Sequence, residues 1–369
     1  MSSSRRSWLR QAILTIPALQ LGTDLFASPS FAPASGPILM NSNENPYGPS
    51  PMARQAMAQA LAWSNRYPDD KIVDLKKEIA NFWGVGKEHI SMGAGASELI
   101  GLCNLHAASL GKGHVITPET AYKVWWDQAK AQGLEIRPIA NNAQKDIDLQ
   151  AMLTAIQAET RIVYLCNPNN PTGKVIPMAP LREFVQEASK KTLVLLDEAY
   201  TEYAGFPTLA KEATANKNLV VLKTFSKVYG LAGARLGYAI AHPDMIGRLG
   251  SLQPWPDVSV SQVTAAAAAA SLKDQAFVAD CRSKNAQARD LCYKTFAELG
   301  LDAIPSETNF ILFNIDKIRT DLSSAMEKHG IAVQYRNHFG GKWCRVSMGT
   351  VEETTRFCAA LRSIVEKGS

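Results

Sequence analysis

The sequence predicts an α/β protein: a large unit with a mostly parallel sheet flanked by helices, and a smaller α+β unit. Three observations carry this. Near-continuous apolar runs recur at Val115-Ile116, Ile162-Val-Tyr-Leu-Cys166, Thr192-Leu-Val-Leu-Leu196 and Leu219-Val-Val-Leu222. Unbroken rather than alternating hydrophobicity marks strands buried on both faces. Helical stretches such as 181–190 separate the runs, as crossovers between parallel strands require. After Pro254-Trp-Pro256 the pattern changes to long helices and shorter, separated strands.

Length and composition fit that division. A chain of 369 residues is too long for one small domain. Its 46% hydrophobic and 20% charged residues are the balance of a soluble protein with a substantial core. The formal charge is +5, and Arg5, Arg6 and Arg10 at the N-terminus supply part of it. No basic run with interleaved aromatics is present, which argues against a nucleic-acid partner. The six cysteines form no CxxC pair and read as buried free thiols. The six histidines are scattered, so no metal site is expected.

The elements follow in order. Residues 4–10 read Ser-Arg-Arg-Ser-Trp-Leu-Arg, and an uncharged, largely apolar stretch runs from Gln11 to Gly22. Small residues then lead to Ser30-Phe31-Ala32. That is the anatomy of an export signal over 1–32, and the paired arginines resemble a twin-arginine signal. It implies the Tat export machinery as a partner and a periplasmic location. A helical N-terminal arm on a cytoplasmic protein is the alternative. The apolar core is too short for a membrane span of about 20 residues.

Residues 33–60 form an arm and the start of the smaller unit. Asn41-Ser-Asn-Glu-Asn-Pro-Tyr-Gly-Pro-Ser-Pro51 cannot be regular helix, because proline lacks the donor and glycine is too free. The helical pattern begins at Met52. The large unit is expected over 61–250 and the smaller over 251–369. In the latter an alanine-rich helix over 263–272 precedes another helix reaching Leu299. A strand at Asn309-Phe-Ile-Leu-Phe313 follows, then a helix, strands near 331–334 and 344–348, and a final helix.

In open parallel sheets, ligands bind beyond the carboxyl ends of the strands. Three runs lead straight into polar motifs. Cys166 is followed by Asn167-Pro-Asn-Asn-Pro-Thr-Gly173, and Leu196 by Asp197-Glu-Ala-Tyr200. Leu222 is followed by Lys223-Thr-Phe-Ser-Lys227 and a segment ending in Arg235-Leu-Gly-Tyr238. Taken singly, these read as a turn, a helix cap and a solvated lysine. Their order and shared position make coincidence a poor account.

Together they resemble the class I and II aminotransferases of pyridoxal-phosphate (PLP) fold type I, and within them the histidinol-phosphate aminotransferase branch. Asn43-Glu-Asn-Pro-Tyr47, Arg66-Tyr67-Pro68, Gly93-Ala-Gly-Ala-Ser-Glu98 and Arg345-Val-Ser-Met-Gly-Thr350 match that branch too. The resemblance runs from about residue 38 to the C-terminus. It implies a cofactor held as a Schiff base on Lys227, which also moves protons. It implies Asp197 against the pyridine nitrogen, and Tyr200 and Asn170 at the phenolic oxygen. The phosphate would be held by Gly95, Ala96 and Ser97 at a helix N-terminus, by Thr224, Ser226 and Arg235, and by Tyr67 reaching in from a second subunit of a homodimer. Tyr122 would stack on the ring. Arg345 would bind the substrate α-carboxylate, with Asn309 beside it and Tyr47 and Asn45 on the substrate side.

One departure bears on substrate. The branch carries an arginine for the substrate phosphate in a Gly-Ile-x-Val-Arg strand; here Gly330-Ile-Ala-Val-Gln334 puts glutamine there, with Arg336 two residues on. The expected reaction moves an amino group between an L-amino acid and a 2-oxo acid or related carbonyl. A decarboxylase or lyase of the same fold, resembling the threonine-phosphate decarboxylases, shares most of these motifs. A non-catalytic binding protein would not need Lys227, Asp197, Tyr200, Asn170 and Arg235 together.

Overall fold

The computed structural model describes residues 36–367. The expected export signal lies outside the described residues. Among the described residues no helix is long and apolar enough to cross a membrane.

Seven strands make the main sheet: β2 (Ile90–Gly93), β3 (Gly113–Pro118), β4 (Leu134–Ile139), β5 (Thr160–Cys166), β6 (Leu193–Asp197), β7 (Leu219–Thr224) and β8 (Gly237–Ala241), with β1 (Ile38–Leu39) lying apart from them. Their order is β2-β8-β7-β6-β5-β3-β4. Pairings from β7 through β4 are parallel, and β8 runs antiparallel to both its neighbours. The apolar runs explain the sheet's place. Val163, Leu165, Val194, Leu196, Leu219 and Val221 face one hydrophobic core. Their alternates Ile162, Tyr164, Leu193, Leu195, Val220 and Leu222 face a second core on the other side. Both faces are dry, so the runs show no polar alternation.

The smaller sheet is antiparallel, in the order β11-β12-β9: β9 (Phe310–Asn314), β11 (Gln334–His338) and β12 (Gly341–Ser347). Phe296, Phe357 and Leu361, from the helices Gln275–Glu298 and Val351–Lys367, cover it. The single strand expected near 331–334 is in fact two. β10 (Ile331–Ala332) pairs in parallel with β1, and after Val333 the chain changes partner and pairs with β12. Gln334 therefore lies directly across from Arg345.

The arm is stitched down by its backbone. Met40 donates to Ala332 and accepts from Ser347, at 2.9 and 2.8 Å. The following helix is Pro51–Ala60, with Ser50 as N-cap and proline in its first turn. All six cysteines are buried and unpaired.

Candidate active site

The carboxyl ends of β5, β6 and β7 open on a cavity of about 770 Å³. Ala96, Ser97, Tyr122, Asn170, Asp197, Tyr200, Thr224, Ser226, Lys227, Arg235 and Arg345 all line it. Asn170, Asp197 and Lys227 meet because successive strands end at one edge, and Arg345 joins them from β12 of the smaller sheet.

Asp197 is the last residue of β6 and is buried. One carboxylate oxygen accepts from the Tyr164 hydroxyl at 2.9 Å, the other from the Ala199 amide at 3.0 Å. Burial pushes its carboxyl above the ordinary value, and those two donors and the Lys227 charge oppose it. Tyr164 sits inside β5, where the sequence reads only as part of an apolar run. Lys227 is three residues beyond β7, and its Nζ donates to the Ser42 carbonyl at 3.4 Å. Burial, then the Arg345 charge, bring its amine down to about 8, against the pull of Asp197 and Glu44. A lysine so placed has a usable fraction of free amine near neutrality.

The Tyr200 hydroxyl accepts from the carboxamides of Asn43 and Asn170, both at 3.1 Å. Burial pushes its phenol upward. Asn170 in turn accepts from an Arg345 terminal nitrogen at 2.8 Å, and the other terminal nitrogen donates to the Asn41 carbonyl at 2.8 Å. Arg345 Nε is buried with no partner among the described residues. Asn43 adopts a left-handed backbone, φ 55°, and is fixed by Ser347 on both its amide and its side chain. The sequence reading did not single out Asn43; its place in the arm motif was the available signal.

The opposite end of the cavity is built for an anion. Gly95 caps the helix Ala96–Ser109, whose first amides have no carbonyl a turn before them. Gly95 has φ +86°, and a Cβ there would run into the Arg235 guanidinium. Arg235 donates to the Ala232 and Ala94 carbonyls at 2.8 and 3.3 Å and has no carboxylate within ion-pair distance among the described residues. Ser226 Oγ is 3.5 Å from Arg235, and the Thr224 hydroxyl accepts the Ser226 amide at 3.1 Å. The Tyr122 hydroxyl bonds to Ser97 while burial raises its phenol.

Three expected residues, Asn309, Asn45 and Tyr47, do not line the cavity of this chain. Asn309 does not line the cavity or touch Arg345: its amide donates to the Asn43 and Glu44 carbonyls, at 3.0 and 3.2 Å, and so anchors the arm. Asn45 donates to the Val228 carbonyl at 2.7 Å, next to Lys227 in sequence. Tyr47 packs against the core, with Lys284 over its ring at 4.9 Å. Each of these three spends its polar group on the scaffold. Tyr67 is 75% exposed and packs on Trp255, ring centroids 5.3 Å apart. Conversely, Gln334, Arg336 and His338, alternate residues of β11, all line the cavity.

The lining fits PLP. An Arg235 with no carboxylate partner among the described residues, at a helix N-terminus, suits a phosphate; a buried carboxylate suits a pyridinium; and a lysine with a lowered pKa lies in the same cavity.

Comparison with known proteins agrees. The family described as aminotransferase class I and II matches residues 35–361. Histidinol-phosphate aminotransferases of Brevibacillus brevis and Moorella thermoacetica are each 34% identical to this chain, over 364 and 361 residues. The matches cover 96% of this chain in both cases, and 98% and 92% of the relatives. The crystal structure of histidinol-phosphate aminotransferase from Sinorhizobium meliloti in complex with pyridoxal-5'-phosphate superposes with a TM-score of 0.81 at 27% identity, covering 96% of this chain and all of that one.

Proposed function

This chain belongs to the class I and II aminotransferase family and is a PLP-dependent aminotransferase; from that premise we propose that it uses Lys227 to carry the cofactor and Arg345 to hold the α-carboxylate of an L-amino acid. The observation that carries the proposal is the convergence of Lys227, Asp197, Tyr200, Asn170, Arg235 and Arg345 on one cavity.

When bound, PLP supplies an electron sink for the bond electrons released at the substrate Cα. The chain's residues do the rest. Asp197, whose charged form the Tyr164 and Ala199 hydrogen bonds favour against burial, would pair with the ring nitrogen and favour its protonated form. Asn43 and Asn170 hold the Tyr200 hydroxyl, whose own proton would be free to go to the phenolic oxygen. Arg235, Ser226, Thr224 and the amides after Gly95 would hold the phosphate. Lys227, as a free amine, would take the proton from the substrate Cα. Arg345 is preset by Asn170 and Asn41, so its fork costs little to order on binding.

Arg345 with neutral Gln334 opposite suits a monoanionic carboxylate better than a phosphate dianion at that point. Histidinol phosphate is the second reading, favoured by the names of the relatives. We infer a homodimer, since Trp63, Tyr67 and Trp255 are 62%, 75% and 47% exposed. Residues 1–32 read as a twin-arginine signal, and the proposed location is the periplasm.

The test is a single-turnover panel. Purified holoenzyme is mixed with each L-amino acid and with histidinol phosphate, and the conversion of the cofactor's visible absorbance to that of its amine form is followed. Conversion by amino acids, lost in Arg345→Gln, supports the reading. Conversion by histidinol phosphate alone overturns it.

A further inference from the structure

Glu98 does not line the cavity, although Ala96 and Ser97 before it and Ile100 after it do. It sits in the first turn of the helix Ala96–Ser109 and is half-buried. Its side chain turns back along the chain, and Oε2 accepts from the Ala94 amide at 2.6 Å. The other oxygen, Oε1, accepts from Gln253 Nε2 and from the Ser259 hydroxyl, both at 2.9 Å. The segment carrying these outer donors is itself fixed on β2. Gln253 donates to the Met92 carbonyl at 3.0 Å and accepts from the Asp257 amide at 2.9 Å. Asp257 accepts from the Met92 amide at 2.6 Å and pairs with Lys76 at 2.7 Å. Ala94 is therefore held at both its polar groups. Its amide goes to Glu98, and its carbonyl accepts from the Arg235 guanidinium at 3.3 Å. Gly95, the next residue, has no side chain with which to cap the helix.

We propose that Glu98 is a positioning residue for the cofactor phosphate: through the Ala94 amide it fixes the Gly93–Gly95 turn, and with it the spacing between the Arg235 guanidinium and the amides after Gly95. The proposal rests on the reading that these groups hold the phosphate of PLP. A carboxylate at a helix N-terminus competes with a bound anion when both face the same space. Here three donors engage Glu98 outside the cavity lining, so its charge holds the turn instead. Hydrogen bonds to a charged acceptor are the stronger kind. The turn needs such an anchor, because Gly95 is freer in its backbone than any residue with a side chain. A glutamate that only capped the helix would stabilise the fold without distinguishing one ligand from another. A positioning role predicts a loss confined to ligands that carry a phosphate.

The experiment compares two ligands on the full chain freed of cofactor. PLP and pyridoxal, which lacks the phosphate, are titrated by absorbance into the unaltered protein, Glu98→Ala, Glu98→Asp, Glu98→Gln and Arg235→Gln. Glu98→Ala should weaken PLP binding roughly tenfold or more, while pyridoxal binding changes less than about threefold. Glu98→Asp keeps the charge in the first helical turn but is too short to reach Ala94, so it should show the same selective loss. It also carries the test if Glu98→Ala fails to fold. Glu98→Gln keeps an oxygen that accepts from Ala94 and should recover most of the PLP affinity. Equal losses for PLP and pyridoxal, unchanged PLP affinity in the Ala and Asp variants, or a Gln variant as weak as the Ala variant overturns the proposal. Arg235→Gln separates this from the cofactor reading. If it loses the preference for PLP over pyridoxal and the Glu98 variants keep it, the proposal alone fails. If Arg235→Gln keeps that preference, the phosphate site itself is misassigned and the proposal falls with it.

Discussion

Lys227 and Asp197 set opposite demands on one small volume: the first must lose its proton readily, the second must keep its charge. For Lys227 the sign is simple. Lowering a lysine pKa from its ordinary 10.5 to about 8 favours the neutral amine, so at pH 7 roughly a tenth is free rather than less than a thousandth. Reconstitution of the apoenzyme with PLP should therefore quicken as pH rises and level off above about 8. A rate still climbing toward pH 10 would show an unperturbed lysine. For Asp197, the Tyr164 hydrogen bond favours the charged carboxylate, against burial. Tyr164→Phe should raise the Asp197 pKa further, so the acid limb of the kcat/KM–pH profile moves upward. An unmoved limb would mean that Asp197 does not govern it. Lys227 and Asp197 were legible in the sequence because each follows an apolar run. Tyr164 was not, because one hydroxyl inside such a run looks like core until its partner is known.

Among the elements, the turn into the helix Ala96–Ser109 and the end of β7 carry most of the positioning. Gly95, φ +86° and ψ 164°, occupies a region nearly closed to other residues. Gly95→Ala should cost about 1–3 kcal/mol of stability by that strain alone. Because its Cβ would also displace Arg235, PLP affinity should fall beyond what thermal melting accounts for. Comparing melting temperature with the PLP dissociation constant separates the two effects. On β7, Lys223 lies one residue before Thr224 and faces away from the cavity. It is fully buried, donates to the Thr201 hydroxyl at 2.6 Å and lies 3.0 Å from Glu198 and 3.4 Å from Glu202. Burial works against its charge, but Glu202 and Glu198 overcome that and hold the amine above its ordinary value. Glu198 lies within the Asp197–Tyr200 turn and Glu202 two residues beyond it. Lys223→Met leaves both unpaired and should destabilise the protein by about 3–5 kcal/mol, readable by urea denaturation. The long parallel runs announced β5, β6 and β7. The strands β2, β4 and β8 did not stand out, being short or mixed in polarity. The split at Val333 was hidden because both halves read as one apolar-to-polar strand, and only the partners distinguish them.

For the molecule as a whole, the parallel sheet, the motif order and the arm were legible in the sequence, because each depends on local pattern. What the arm touches was not. Asn309, Asn45 and Tyr47 were expected beside the substrate, yet they tie the arm to the scaffold, an outcome set by long-range packing. The arm nonetheless reaches the site through Asn41, Ser42 and Asn43. The exposed Trp63, Tyr67 and Trp255 belong to the same scale. Light scattering should find a dimer, and Tyr67→Ala should weaken PLP retention if that residue serves a neighbouring site. A monomer with undiminished cofactor retention would remove the shared-site account. Fusing residues 1–36 to a reporter tests the signal in the same way: export that fails when Arg5 and Arg6 become lysine is the expected result, and a reporter left in the cytoplasm contradicts it.

The central claim is that Lys227 alone carries the cofactor. Borohydride reduction of the holoenzyme, followed by peptide mass mapping, tests it most directly. The account predicts one modified peptide, bearing a stable pyridoxyl group on Lys227. Attachment to another lysine such as Lys223 or Lys123, or no attachment at all, would contradict it.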